Sequence, residues 1–304
     1  MKLTAIILTL NEARHLERCI LSIKGVASEI VVVDCFSSDA TLEIAYKNGA
    51  RVIQNEWVSH ANQFNWALTQ IDSNPDWILR IDADEYLTKE LALEIKSNLP
   101  NIDNEVEGIY LARRMKFQGC LICHGGVFPI DVLRLFRFGK GICENRWMDE
   151  HIKVAGRKSR FHGEIIDDNL HSMDRWIDKH NKYASREAID LLNLRFHFMP
   201  LDSIAELRNG NRTEIKRWFK EVIYFRMPLG IRAFTYFFYR YLICMGFLDG
   251  SAGTSFHFLQ GLWYRYLVDV KVSEVCRYMH EHNVGPKEAI KEIFGIQIDP
   301  SSSN

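Results

Sequence analysis

The sequence predicts an α/β fold: a mostly parallel sheet with helices on both faces, followed by a helical region rich in aromatic and basic residues. Three observations carry this. Short apolar, β-branched runs recur through the first hundred residues, segments with helical spacing separate them, and the runs end on polar residues. Near-continuous apolar strands alternating with helices belong to sheets covered on both faces.

Residues 3–10 are the first such run, and Asn11-Glu12 ends it. Residues 13–23 follow, with Leu16, Cys19, Ile20 and Ile23 at the spacing of one helical face. Residues 30–33 form the second strand and stop at Asp34. Ser37-Ser38-Asp39 can cap a helix running through Leu42, Ile44 and Ala45, with Gly49 placed as its C-cap. Residues 51–53 make a short third strand, 60–70 a helix, and 77–81 a fourth strand ending at Asp82. Thr88 caps a helix over 88–98, with Pro100 beyond it. From 107 to 138 the pattern is strand-like and carries Arg113, Arg114, Lys116, Arg134 and Arg137, with a turn at Gly125-Gly126. Residues 174–194 read as a helix, and the character shifts after Pro200. The domains expected are 1–198, catalytic, and 199–304, helical and membrane-associating.

The 304 residues are 47% hydrophobic and 25% charged, an ordinary globular balance. A net charge of -1 gives no sign of a nucleic-acid partner. Seven cysteines, an odd number with no export signal before the first strand, fit reduced thiols in a cytoplasmic protein. Cys120-Leu121-Ile122-Cys123-His124 has the spacing of c-type haem attachment. That chemistry needs export, and zinc would need Cys143 or His151 as further ligands, so two ordinary thiols are expected. The run nearest to a membrane span, 231–248, carries Arg232 and Arg240.

Thr9, Glu12, Asp34 and Asp82 all fall at strand ends, on the rim where such sheets bind ligands. Asp82 and Asp84 are two apart, and in extended chain two such carboxylates point the same way. Paired hard oxygens suit Mg²⁺ or Mn²⁺, which would take further ligands from a substrate diphosphate. A solvated turn is the plain alternative for the tripeptide; its place after a buried strand, with Asp34 at another strand end, favours the site.

These residues resemble family 2 glycosyltransferases of the GT-A, Rossmann-like fold. The resemblance rests on residues 5–12 (AIILTLNE), 30–34 (IVVVD) with 37–41 (SSDAT), and 79–85 (LRIDADE), in the family's order and at its intervals. It implies that Thr9, Glu12 and Asp34 hold the nucleoside of a UDP-sugar, with Arg80 among the donor-binding residues. It implies that Asp82 approaches the ribose and the metal, and that Asp84 ligates the metal. An inverting transfer also needs a carboxylate to take the acceptor's proton. The acidic pair in Trp147-Met148-Asp149-Glu150-His151 matches the family's position, with Asp149 the first choice and Glu150 the second. The family's usual order is Glu then Asp. His171, after a strand and before the 174–194 helix, is the expected third metal ligand, ahead of His151 and His162. Lys179, His180 and Lys182 offer cations to a phosphate or to solvent. Arg134 and Arg137 offer cations to a diphosphate, an anionic acceptor or ordinary surface partners.

Aromatic and basic residues alternate from 217 to 271, as at the headgroup level of an anionic membrane; a core helix pair with its basic residues pointing outward is the other reading. This stretch resembles bacterial lipopolysaccharide-core and surface-polysaccharide glucosyltransferases, in residues 246–250 (GFLDG) and 259–265 (LQGLWYR). That likeness implies glucose transfer from UDP-glucose to a membrane glycolipid or polyprenyl-diphosphate-linked saccharide, at the inner face of the cytoplasmic membrane. A sugar nucleotidyltransferase would need a glycine-rich phosphate loop with a basic residue near the N-terminus, and residues 8–12 have none. A non-catalytic sugar-nucleotide-binding protein would have no use for Asp82, Asp84 and Asp149 together.

Overall fold

The structure is a computed structural model that describes residues 1–144, 150–199 and 227–298. Two compact units divide the chain, 1–171 and 172–304. The boundary at 198 read from the sequence falls just after the helix Met173–Phe196.

Among the described residues, the first unit is built on a nine-stranded sheet. Its nucleotide-type half comprises β1 (Leu3–Thr9), α1 (Leu16–Ile23), β2 (Glu29–Asp34), α2 (Thr41–Lys47), β3 (Arg51–Gln54), α3 (His60–Thr69) and β4 (Trp77–Asp82). β3, β2, β1 and β4 lie side by side and parallel, as expected. Side chains alternate across them. Leu3, Ala5, Ile7, Val32, Leu79 and Ile81 pack with Leu16, Cys19, Ile20 and Ile23 on one face. Ile6, Val31, Val33 and Ile78 pack with Ala61, Phe64 and Ala67 of α3 on the other. Burying both faces is what makes the strand sequences almost wholly apolar.

Beyond β4 the pairing is mixed. β5 (Glu85–Leu87), α4 (Lys89–Asn98), β6 (Val106–Phe117), β7 (Cys120–Leu121), β8 (Ile130–Arg137), β9 (Gly141–Cys143), β10 (Ile152–Val154) and β11 (Arg157–Asp168) follow in the chain. β8 lies antiparallel to β4 and to β6, β6 parallel to β11, and β11 antiparallel to β5. β9 and β10 form a separate hairpin. Thr88 caps α4 as expected, accepting from the Leu91 N–H at 3.2 Å. The expected side-chain cap of α2 is not formed: Ala40 stands at the N-cap, Asp39 accepts from the Thr41 N–H at 3.0 Å, and Ser37 turns back to Asp34. All seven cysteines are thiols, and Cys120 and Cys123 are exposed.

The second unit holds α5 (Met173–Phe196), α6 (Ile231–Phe238), α7 (Gly250–Phe256), α8 (Tyr264–His282) and α9 (Pro286–Phe294). α5, α8 and α9 share a core of Ala184, Ala188, Ile189, Leu192, Val268, Val272, Val275, Ala289 and Ile290. The segment around α6 departs from the sequence expectation. Arg232 and Arg240 point inward instead of outward and are buried. Arg232 Nε donates to Asp269 Oδ1 at 2.7 Å, which compensates burial of its charge. The Arg240 guanidinium lies over the Tyr236 and Phe256 rings, at 5.4 and 5.5 Å from their centroids. Ile231, Phe234, Phe238 and Leu242, one face of the helical run, are exposed in their place. No helix among the described residues is long and apolar enough to cross a membrane.

Candidate nucleotide and metal site

The register of the parallel strands assembles the rim. Thr9 pairs with Asp34 across β1 and β2, and Leu8 pairs with Asp82 across β1 and β4. With strands about 4.8 Å apart, Asp34 and Asp82 flank β1 on its two sides at the same end of the sheet.

Asp34 is fully buried. Its oxygens receive Thr9 Oγ1 at 3.0 Å, the Ser37 N–H at 2.8 Å, Ser37 Oγ at 2.5 Å and Gln54 Nε2 at 3.2 Å. These four donors satisfy a carboxylate that would otherwise be costly to bury. The loop after β1 is laced to the loop after β2. Asn11, at φ 58°, donates its N–H to Ser37 Oγ and accepts the Ser38 N–H, both at 2.8 Å. Asparagine tolerates this left-handed backbone better than most residues. The Glu12 N–H reaches Thr41 Oγ1 at 2.8 Å.

Glu12 heads a second cluster. His15 Nδ1 lies 2.6 Å from Glu12 Oε2, and His15 Nε2 accepts the Leu170 N–H at 2.8 Å. That pair of bonds places the His15 proton on Nδ1 and uses both ring nitrogens. His171 meets the His15 ring edge-on at 4.6 Å, with Nε2 3.8 Å from Glu12 Oε2. Glu12, His15 and His171 thus bring ligand atoms within 4.8 Å of one another. With His15 committed to Glu12 and Leu170, this trio is a buttress for His171 more than a complete metal shell.

The acidic motif has a different shape from the extended dipeptide expected. Ala83-Asp84 is a turn joining β4 to β5, and the two carboxylates have different partners. Asp84 Oδ2 accepts from Asn169 Nδ2 at 3.2 Å, and the Asp84 carbonyl accepts the Asp168 N–H at 3.0 Å. Asn169 Oδ1 in turn accepts the His171 N–H at 2.9 Å, so one short segment serves both Asp84 and His171. Asp82 faces arginines. Arg134 Nη2 lies 2.6 Å from Asp82 Oδ2, and Arg80 Nε lies 3.8 Å from Asp82 Oδ1. Burial pushes the Asp82 carboxyl up, but Arg134 and then Arg80 outweigh it and hold it below the usual carboxylate range. Glu85, also buried, goes the other way: desolvation and the Asp82 charge raise it against the pull of Arg134.

Several of these residues carry no signal as site residues in the sequence. Arg18 reaches from α1 to Asp168 at the end of β11, donating to Oδ2 at 2.5 Å, and Lys116 approaches the same oxygen at 3.2 Å. Arg137, paired with Arg134 in the sequence reading, is at the other end of β4. Its Nε donates to the Val106 carbonyl at 2.8 Å, and its guanidinium covers the Trp77 ring at 4.7 Å. His151 and His162 are exposed. Asp149 lies outside the described residues. Glu150 is half-buried just before β10, the partner of β9. Burial raises the Cys143 thiol on β9, with Glu150 adding to the rise, and Arg80 Nη1 donates to that thiol at 3.4 Å. Glu150 thus stands near the thiol that Arg80 contacts.

With this geometry in view, comparison with known proteins gives one family match. Residues 4–121 match the model of glycosyl transferase family 2. An uncharacterized glycosyltransferase of Rickettsia bellii is 48% identical over 95 residues, 31% of this chain and 32% of that protein. A lipopolysaccharide core biosynthesis glycosyltransferase of Rhizobium meliloti is 37% identical over 146 residues, 46% of this chain and 53% of that protein. The chain thus spans about a third to a half of the length of these relatives. Among solved structures, glucosyl-3-phosphoglycerate synthase from Mycobacterium tuberculosis aligns with a TM-score of 0.31 at 19% identity, covering 38% of this chain and 44% of that one.

Proposed function

We propose that the chain is an inverting glycosyltransferase that moves a hexose, glucose from UDP-glucose, to a lipid-linked saccharide in surface-glycan synthesis. The observation that carries this is the rim itself: Asp34 with Thr9 on one side of β1, and Asp82 with Asp84 on the other. In this reading the nucleoside lies over Thr9, Glu12 and Asp34. Asp34 is saturated by protein donors, so a uracil N–H would exchange with one of them. Gln54, the longest of the four contacts and on an exposed residue, is the donor to be displaced.

The residues that would hold Mn²⁺ or Mg²⁺ are the Asp84 carboxylate and the His171 imidazole, whose segments are joined through Asn169, with Asp82 beside them on its arginines. When bound, such an ion would neutralise the diphosphate that leaves with the nucleoside. Arg80, buried beside Asp82, adds fixed positive charge at the same edge. The base is Asp149, with Glu150 as the alternative. It takes the acceptor hydroxyl's proton as that oxygen bonds to the anomeric carbon from the face opposite the diphosphate, whose bond to that carbon breaks.

The acceptor's lipid anchor is supported by the turned-out face of 231–248. The two charged residues of this run, Arg232 and Arg240, are buried, while Ile231, Phe234, Phe238, Leu242 and Ile243 are exposed. An uncharged apolar face on a segment too short to span suits the interface of the cytoplasmic membrane's inner leaflet. Calorimetry with UDP tests the donor half: binding should require Mn²⁺ or Mg²⁺ and weaken by about 1–3 kcal/mol in Asp34→Ala. Equal binding of ADP and UDP, or an unaffected Asp34→Ala, would count against it.

A further inference from the structure

We propose that Arg134 is a positioning residue that keeps Asp82 out of the divalent cation's coordination shell and leaves Asp84 as the carboxylate that binds it. This rests on the metal reading above and goes beyond it.

Arg134 sits on β8 one residue before Leu135, which pairs with Leu79 of β4, so its guanidinium enters beside Arg80 and Asp82. It is buried and forks between two carboxylates. Nη2 is 2.6 Å from Asp82 Oδ2 and 2.6 Å from Glu85 Oε1, while Nη1 is 3.5 Å from Asp82 Oδ1. Glu85 is itself fixed, because its Oε2 accepts the Asp82 N–H at 3.1 Å and Arg113 Nη1 stands 3.9 Å from Oε1. On the other flank Arg80 Nε faces Asp82 Oδ1. Both Asp82 oxygens are therefore turned to guanidinium groups that are fixed in place. A divalent ion at Asp82 would have to approach two such cations, both of them buried. Asp84 Oδ2 accepts from the neutral amide of Asn169. The planar fork of arginine reaches two carboxylates at once, which a lysine ammonium does with less fixed geometry. The Glu85 carboxylate is thus the anchor that holds the fork in position.

The test is a Mn²⁺ titration of the full chain without nucleotide, read by electron paramagnetic resonance, with the melting temperature of each variant measured alongside. Removing the fork in Arg134→Gln should free Asp82 to join Asp84 and tighten Mn²⁺ binding by about tenfold, even as the melting temperature falls. The double variant with Asp82→Asn should lose that gain. In the wild-type background Asp82→Asn should keep Mn²⁺ affinity within about twofold, and Asp84→Asn should weaken it by about tenfold or more. A purely structural Arg134 would give a lower melting temperature with unchanged or weaker Mn²⁺ binding, and that result overturns the proposal. So does an Asp82→Asn loss as large as that of Asp84→Asn, which decides the matter even where Arg134→Gln fails to fold. Mn²⁺ binding that is absent in the wild type, or indifferent to Asp84→Asn, would instead overturn the metal reading itself.

Discussion

Individual carboxylates at this rim do different work because their neighbours differ. Asp34 accepts from backbone, hydroxyl and amide donors and Asp82 from guanidinium groups, while Asp84 accepts from the Asn169 amide. Asp149→Asn should retain UDP binding while transfer falls by about 10²-fold or more. If Glu150→Gln gives that phenotype and Asp149→Asn does not, Glu150 is the base. Thr9, Asp34, Asp82 and Asp84 were legible in the sequence because each ends, or closely follows, a short apolar strand, and strand ends in such sheets share a rim. Glu85 was not legible as a buried brace, since an acid beside a turn reads as solvated. Nor were Arg18, Asp168 and Asn169, whose contacts join α1 or the β4–β5 turn to residues far along the chain. Local pattern carries no trace of such a pairing.

Elements fix these side chains through close approach. Helix α4 lies against β11 so tightly that a Cβ on Gly163 would stand 2.4 Å from the Leu91 Cα. Glu94 on the same helix accepts the His162 and Gly163 N–H groups at 2.9 and 2.8 Å. Gly163→Ala should therefore lower stability by about 2–3 kcal/mol in chemical denaturation, because the helix backbone has to move. β11 ends at Asp168, so the same variant should also weaken UDP binding. In α5, His180 stacks on Trp176 at 3.5 Å, with Nδ1 2.8 Å from the Trp176 carbonyl. Burial pushes its pKa down to about 4 from an ordinary 6.5. The neutral ring is the favoured form in the folded helix, so its contribution to stability is complete above pH 6.5 and is lost as pH falls from there through about 4. Melting of the wild type should fall more steeply over that window than melting of His180→Phe. Helix and strand positions were legible from periodicity, but the mixed pairing beyond β4 was not. A strand's apolar pattern says that it is buried and is silent about its neighbour's direction.

At the scale of the molecule, a nucleotide-type unit of residues 1–171 accompanies a helical unit with one uncharged, apolar face. The sequence pointed to this region through its aromatic and basic residues, yet it could not give their orientation. Buried arginines are sustained by partners remote in sequence, such as Asp269 for Arg232. Phe234→Asp with Phe238→Asp should abolish flotation of the full chain with anionic liposomes and leave UDP binding intact; unchanged flotation would remove the membrane from the account. The central claim is that the rim around β1 binds and cleaves a UDP-sugar. Release of UDP by the full chain, from a panel of nucleotide sugars with Mn²⁺, measures it most directly. UDP-glucose should be turned over, and Asp84→Ala should lose that turnover; release from no nucleotide sugar, or full release by Asp84→Ala, would contradict it.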